Sequence, residues 1–208
     1  DIDIEDLDVG YSVRHIGEKQ IAEVFLSDQL ENGAGYSNYL GQKENLRALL
    51  EGTDAYISGE LSRAPHDSCE SSCYQCLRDY YNAMYHPLLD WRLGSDLLDL
   101  LLGRALCLSR WEESEQSLTK SFAEELAGDS IQLDGSVSAI NTGGKLLIVR
   151  HPFELPTSGH VFENLPLSQR LDAAIVDAEC LYPNSEIQFV SSFDLQRRPG
   201  WVLANLDQ

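Results

Sequence analysis

The sequence predicts a mixed α/β protein whose helical middle is organised by zinc. Three observations lead to this fold class: a strand-like run before a glycine turn near the start, three cysteines within eight residues, and alternating strand and helix patterns beyond residue 128. We expect a strand-turn-helix N-terminal part, a zinc-organised helical middle and a small α/β C-terminal part. The domains are expected to be residues 1–128 and 129–208.

The N-terminal elements are read from hydrophobic spacing. Residues 21–28 are apolar and rich in strand formers, and Gly33 and Gly35 then predict a tight turn. From Tyr36 onward, apolar residues at helical spacing predict a helix that Gly52 ends. A short strand is expected at residues 55–58.

The middle of the chain reads as helical. Helical spacing predicts a helix from Leu77 to Met84, and the His86-Pro87 pair ends it. Residues 88–108 predict a longer helix that is apolar nearly all round, and residues 111–126 predict an acidic amphipathic helix.

The last part alternates between strand and helix. Strands are expected at residues 131–133, 137–140, 145–149 and 186–191, a turn at 142–144 and a helix at 165–179. This order is typical of α/β proteins.

Composition and charge restrict the function. The 208 residues are 43% hydrophobic and 24% charged, as in ordinary globular proteins. Fifteen Lys and Arg face 34 Asp and Glu, which gives a net charge of −19. Because binding to a phosphate backbone depends on basic residues, we do not expect this chain to coat nucleic acid by itself.

Targeting signals are not evident in the sequence. The chain begins with an acidic segment that has neither an initiator Met nor the basic start of a signal peptide, so we expect a piece of a longer protein. The most apolar stretch, residues 88–108, carries five charged residues and is not expected to span a membrane. Clustered cysteines suit a reduced compartment, and we expect a cytoplasmic protein.

Three clustered cysteines predict a metal site. A Cys-x-x-Cys pair such as Cys73 and Cys76 lets one turn supply two thiolates to one ion, and Cys69 can fold back as a third. Zn²⁺ is favoured over an iron-sulfur cluster, and a bound metal over three free thiols. Cys107 and Cys180 lie in apolar segments and are expected to be small core residues.

The fourth ligand is open between two histidines. His86 is favoured because a short helix would bring its imidazole back over the cysteines, and His66 is the alternative just upstream. Either histidine could instead cap a helix or lie hydrogen-bonded in the core. Four protein ligands leave no position for water, so such a site stabilises the fold and performs no chemistry.

One stretch resembles a known family. From Cys69 to Arg92 the pattern is Cys-x3-Cys-Tyr-x-Cys-Leu-Arg-x-Tyr-x-Asn-x3-His-x2-Leu-Asp-Trp-Arg, and Phe25-Leu26-Ser27-Asp28-x4-Gly33-Ala34-Gly35-Tyr36 lies upstream. Residues 24–93 resemble the MrfA-type zinc-binding domain, found at the C-terminus of DEAD/DEAH-box helicases and in DNA-repair and anti-phage defence proteins, including DISARM-like ones. The resemblance implies a zinc-stabilised accessory domain whose helicase motor lies in cis or in a partner subunit.

Catalytic motifs are not evident. Gly143-Gly144-Lys145-Leu146 lacks both the first glycine and the hydroxyl residue of a P-loop. No lysine stands in an Asp-Glu-x-Lys arrangement, and neither His151 nor His160 is followed two residues later by lysine. We therefore expect this chain not to be an enzyme, and the resemblance implies that the parent assembly is an ATP-dependent helicase.

One basic spot predicts contact with nucleic acid. Arg197, Arg198 and Trp201 combine two guanidinium groups with an indole on a predicted loop, a mixture that can bind a phosphate and stack a base. The alternative is that the arginines pair with carboxylates while the indole packs in the core.

These observations favour a noncatalytic scaffold or nucleic-acid guide within a helicase-like DNA-processing, repair or anti-phage defence protein, with DNA reached through the parent assembly. The alternative is an acidic interaction module that docks a basic partner subunit without touching DNA. An independent nuclease is the least favoured hypothesis.

Overall fold

The chain is a mixed α/β protein, as the sequence predicts. A computed structural model describes residues 7–16, 19–29, 35–134, 136–155 and 168–206. The chain divides into two compact units, the first formed by residues 1–83 and 89–104 and the second by residues 84–88 and 105–208. The domain boundary near residue 128 stays a prediction.

A long hairpin opens the first unit. Strands β1 (Leu7–Ile16) and β2 (Lys19–Asp28) pair antiparallel, with Leu7 opposite Asp28 and Ile16 opposite Lys19. The strand predicted at residues 21–28 is confirmed as part of β2. Most of the turn predicted after it lies outside the described residues.

The described residues of the first unit also form three helices: α1 (Tyr36–Leu40), α2 (Lys43–Tyr56), which continues as a π-helical turn (Ile57–Leu61), and α3 (Trp91–Leu101). The prediction that Gly52 ends a helix is wrong, because Gly52 lies inside α2 and lacks the positive φ of a C-terminal cap. The short strand expected at residues 55–58 is also wrong, since the helical backbone continues through it.

The helix predicted from Leu77 to Met84 is wrong. Residues 77–82 form turns, a bend and irregular backbone, and a 3₁₀ helix that contains His86 and Pro87 follows at Ala83–Leu88. The Asp79 carboxylate accepts hydrogen bonds from the backbone amides of Tyr81 (2.6 Å) and Asn82 (3.0 Å). Such side-chain bonds give the backbone an alternative to the helix.

The helix predicted over residues 88–108 is shorter than expected. It begins at Trp91, because Asp90 caps it by accepting a hydrogen bond from the Arg92 amide (2.9 Å), and it ends at Leu101. Gly103 follows with φ of +77°, a conformation that favours glycine and breaks the helix.

The second unit is built on a four-stranded sheet. Its elements are α4 (Glu112–Glu125), β3 (Asp129–Leu133), β4 (Val137–Asn141), β5 (Lys145–Arg150), α5 (Gln169–Leu181), β6 (Glu186–Ser191), α6 (Ser192–Arg197) and α7 (Pro199–Leu206). The sheet order is β3-β4-β5-β6, in which β6 alone is parallel to its neighbour. A parallel pair needs a crossover, and α5 provides it.

Helices cover both faces of this sheet. Along β5, Leu147 and Val149 pack on one face with Phe122 of α4, while Leu146 and Ile148 pack on the other with α5. Because both faces are buried, the strand reads as a continuous apolar run and not as an alternating one. Within the described residues, no helix has both the length and the apolar character needed to cross a bilayer.

A buried ion pair lies within the second unit. Glu154 is 2% exposed and accepts hydrogen bonds from Arg170 Nη2 (2.6 Å) and Ser168 Oγ (2.7 Å). Burial alone would raise the pKa of this carboxyl group, but the hydrogen bonds from Arg170 and Ser168 outweigh it and hold the pKa below its ordinary value. Glu154 is therefore a charged group held inside a folded core.

Candidate metal centre

Two short turns of the same spacing bring four candidate ligands together. The Cys69 amide donates to the His66 carbonyl oxygen (3.0 Å), and the Cys76 amide donates to the Cys73 carbonyl oxygen (3.1 Å). Each turn thus separates its two ligands by two residues, giving the pattern His-x2-Cys-x3-Cys-x2-Cys. The first turn supplies an imidazole and a thiol, and the second supplies two thiols.

The ligand atoms converge. Those of His66, Cys73 and Cys76 all lie within 4.8 Å of one another, and Nδ1 of His66 is 3.5 Å from Sγ of Cys73. The Cys69 thiol is near enough to the other two cysteines for their charges to act on it. These four residues cluster closely enough to hold a metal ion.

The electrostatics of the thiols are strongly linked. Burial raises the pKa of Cys69, and the neighbouring charges of Cys76 and Cys73 raise it further. Hydrogen bonding from the Gln75 backbone lowers the pKa of Cys73, and the Cys73 amide donates to Sγ of Cys76 at 3.0 Å. The backbone thus favours the thiolate of Cys73, while mutual repulsion opposes three thiolates without a cation among them.

The donor set fits zinc. Three sulfur atoms and one imidazole nitrogen match the Cys₃His sites that bind structural Zn²⁺. With Zn–S bonds of about 2.3 Å, the ligand atoms of a tetrahedral site stand about 3.8 Å apart. The separation of 3.5 Å between His66 Nδ1 and Cys73 Sγ therefore requires little rearrangement.

The start of α3 clamps the loop that carries the first turn. Nη1 of Arg92 donates to the carbonyl oxygens of Cys69 (2.7 Å) and Glu70 (3.2 Å), and Nη2 donates to that of Asp67 (3.1 Å). The Trp91 amide donates to the carbonyl oxygen of a further loop residue, at 3.1 Å. The guanidinium carbon lies 4.4 Å from the Trp91 ring centroid, which fixes its orientation. The ligand loop and α3 are therefore held as one structure.

Replacing Arg92 should weaken metal binding although Arg92 is not a ligand. We expect Arg92→Met to lower zinc affinity about 10- to 100-fold, as for other residues that orient metal ligands. Arg92→Lys should restore only part of this affinity, because an ammonium group cannot reproduce the planar guanidinium fork. The measurement is competition with a colorimetric zinc chelator. Arg63→Met is the control, since Arg63 is exposed on the same loop; equal affinities for Arg92→Met and Arg63→Met would contradict this role.

The structure separates the two candidate histidines. In the described residues, the group of converging ligand atoms contains His66, whereas His86 lies in the 3₁₀ helix and is not part of it. The sequence signal for His66 was its two-residue spacing from Cys69, which repeats that of Cys73 and Cys76. The expectation that Cys107 and Cys180 are core residues is wrong, because both are exposed.

Two of the three residues predicted to contact nucleic acid lie on helices, and Arg198 lies in the one-residue connection between those helices. Arg197 is the last residue of α6, and Trp201 lies in the first turn of α7 with 53% of its surface exposed. Arg198 donates from Nε to Asp194 (3.0 Å), and its guanidinium carbon lies 5.0 Å from the Trp201 ring centroid. Arg198 thus has a carboxylate partner within the second unit. Nucleic-acid binding by these residues stays a prediction.

A small pocket adjoins this spot. Its volume is about 210 Å³, and Arg150, Ser191, Asp194 and Trp201 are among the residues that line it. Nη1 of Arg150 donates to the carbonyl oxygens of three residues, at 2.9 to 3.2 Å. The Arg150 guanidinium therefore serves largely to hold the chain that follows β5.

Comparison with known proteins gives one informative similarity. No protein-family model matches the chain, and no solved structure is significantly similar to it. Over 81 residues, the chain is 33% identical to Druantia protein DruE of Escherichia coli (strain UMEA 4076-1). The similarity covers 39% of this chain and only 4% of the length of DruE.

Proposed function

We propose that this chain is a noncatalytic zinc-binding accessory module in which Cys69, Cys73, Cys76 and His66 hold one structural Zn²⁺. The observation that carries the proposal is the convergence of two equally spaced turns on one set of ligand atoms. With four protein ligands the site has no open position, so its contribution is folding free energy. Because Arg92 hydrogen-bonds to the ligand loop, metal binding also stabilises α3.

Cobalt substitution tests the ligand set, because the visible absorption of Co²⁺ reports which atoms coordinate it. We expect His66→Ala to weaken Co²⁺ and Zn²⁺ binding at least about 10-fold and to shift the Co²⁺ bands, since one of four ligands is lost. His66→Cys should keep tight binding with an all-sulfur spectrum. His86→Ala is the matched control and should leave both properties unchanged. Bands that move in His86→Ala and stay in His66→Ala would instead assign the fourth position to His86.

The module is proposed to serve a helicase-like DNA-processing or anti-phage defence protein in the cytoplasm. Two observations support this setting: the resemblance of residues 24–93 to the MrfA-type zinc-binding domain, and the similarity to Druantia protein DruE. In this proposal the motor lies in cis or in a partner subunit, and DNA is engaged by the parent assembly. The role of this chain is that of a scaffold or guide.

The second candidate function is an acidic module that docks a basic protein partner. The observation that favours it is the net charge of −19, which attracts basic surfaces and repels phosphate backbones. The pairing of Arg198 with Asp194 also reduces the positive charge that the second unit offers to DNA. A scaffold and a docking module are compatible, because the zinc site can hold the docking surface in shape.

A further inference from the structure

Two tyrosines that follow the candidate metal ligands in the sequence are almost completely exposed to solvent. Tyr80 is 85% exposed and Tyr81 is 93% exposed. Both lie on residues 77–82, here called the tyrosine loop, which directly follows the turn from Cys73 to Cys76. Aromatic rings with a polar tip are enriched at protein interfaces, where the ring is covered and the hydroxyl group finds a partner.

The tyrosine loop is fixed by its own polar side chains. The Asp79 carboxylate accepts the two backbone hydrogen bonds described above. Asn82 closes the loop: its Oδ1 accepts a hydrogen bond from the Asp79 amide (2.9 Å), and its Nδ2 donates one to the Leu77 carbonyl oxygen (2.8 Å). The Arg78 amide donates to the Cys73 carbonyl oxygen (3.0 Å), which anchors the loop to the metal turn. A surface ordered before binding loses less conformational entropy when a partner docks.

The two rings are arranged to offer their faces. Their centroids are 5.7 Å apart and their planes meet at 84°. In this edge-to-face contact the edge of one ring meets a face of the other, and because both side chains are almost fully exposed, the remaining negatively polarised faces are open to a cation.

Charge selects the kind of partner. Between residues 60 and 82, Arg63 is the single exposed basic side chain. Four acidic side chains are exposed in the same segment: Glu60, Asp67, Glu70 and Asp79. Arg78, which is half-buried, donates to Ser72 Oγ at 2.8 Å. An excess of exposed acidic side chains in the segment that carries the loop repels phosphate and attracts guanidinium and ammonium groups.

We propose that the tyrosine loop is a docking surface for an arginine-rich segment of a protein partner. Arginine is favoured over lysine because its planar guanidinium stacks on aromatic faces as well as pairing with carboxylates. The inference rests on the proposed zinc site, because the turn from Cys73 to Cys76 anchors the loop. It goes beyond that site by assigning a surface and a partner chemistry.

The test uses the whole chain and a fluorescent nona-arginine peptide, followed by anisotropy at moderate salt. We expect the double variant Tyr80→Ala/Tyr81→Ala to bind the peptide about 10-fold more weakly, because both ring faces that would contact guanidinium groups are lost. Replacing both tyrosines with Phe should retain the affinity, because the ring faces remain. The matched control removes Tyr39 and Tyr56, which are each 53% exposed in the same unit, and should bind like the unchanged chain.

Two further measurements separate the possible failures. The first is the zinc content of every variant. A parent chain without metal would count against the proposed zinc site. A zinc-loaded chain whose peptide affinity does not change when Tyr80 and Tyr81 are replaced would overturn this inference alone. Nona-lysine should bind more weakly than nona-arginine. A single-stranded thymidine oligonucleotide should not bind through the loop, and binding that Tyr80→Ala/Tyr81→Ala abolishes would assign the surface to nucleic acid instead.

Discussion

Cys73→Ser and Cys76→Ser are each expected to abolish tight zinc binding and to unfold the first unit while the second unit stays folded. The reason is an uneven core: of the 20 buried apolar residues in the described chain, only Leu40, Leu61, Trp91 and Leu98 belong to the first unit. Helix α2 buries no residue at all. A unit with so little buried apolar surface depends on the free energy of metal binding.

The expected loss exceeds about 3 kcal/mol of unfolding free energy for the first unit, beyond the effect of most single substitutions. Calorimetry should show the loss of the metal-dependent transition with the second transition unchanged. Cys107→Ser and Cys180→Ser are the controls, because both thiols are exposed and lie outside the cluster. Equal melting profiles for Cys73→Ser and Cys107→Ser would remove the basis for a structural metal site.

Removing Arg170 should destabilise the second unit by about 3–5 kcal/mol at neutral pH. Arg170→Met would leave the Glu154 carboxylate buried without its cation, and burial of an unpaired charge is costly. Denaturant unfolding of the second unit measures the loss. Arg198→Met is the comparison, because its ion pair with Asp194 is more exposed, with side-chain exposures of 49% and 19%, and should contribute less than about 1 kcal/mol.

The effect of Arg170→Met should depend on pH in a defined direction. The pKa of Glu154 is lowered in the folded chain, so its ionised form stabilises the fold above the ordinary glutamate pKa of about 4.3. This stabilisation is lost as the pH falls through the lowered folded-state pKa. Without Arg170, burial would raise this pKa in the variant, so the difference between Arg170→Met and the unchanged chain should begin to shrink above the ordinary glutamate pKa and continue to shrink as the pH falls through the lowered pKa of the unchanged chain. A difference that stayed constant from neutral to acidic pH would show that lost packing, and not the ion pair, is responsible.

The second unit was largely predictable from the sequence because its elements bury strong hydrophobic patterns. Residues 145–149 read as a buried strand, and the structure places them in β5 with helices on both faces. The turn at residues 142–144 also forms, with Gly143 at φ of +82°. Periodicity works here because burial and local pattern agree.

The first unit was harder to predict because polar side chains and the metal ligands shape it. The helical spacing from Leu77 to Met84 is real, but Asp79 and Asn82 divert the backbone into turns. Strand β1 was missed although Leu7, Val9, Tyr11 and Val13 alternate with other residues in the pattern of a strand.

The metal site could be predicted in part. The spacing of the three cysteines predicts that they are ligands. The identity of the histidine ligand depends on which turn folds against the cysteines, and spacing alone does not determine this. The role of Arg92 could not be foreseen, because its partners are backbone carbonyl groups 22 to 25 residues away in the sequence. Backbone acceptors carry no sequence signature, so only the fold reveals such a clamp.

Elemental analysis of the purified full chain, combined with thermal unfolding before and after chelation, tests the central claim most directly. The account predicts about one zinc per chain, bound tightly through the cysteine cluster. Its removal should melt the first unit, and added Zn²⁺ should restore it. A chain that contains no metal and yet shows both unfolding transitions, unmoved by chelator or by zinc, would contradict the account.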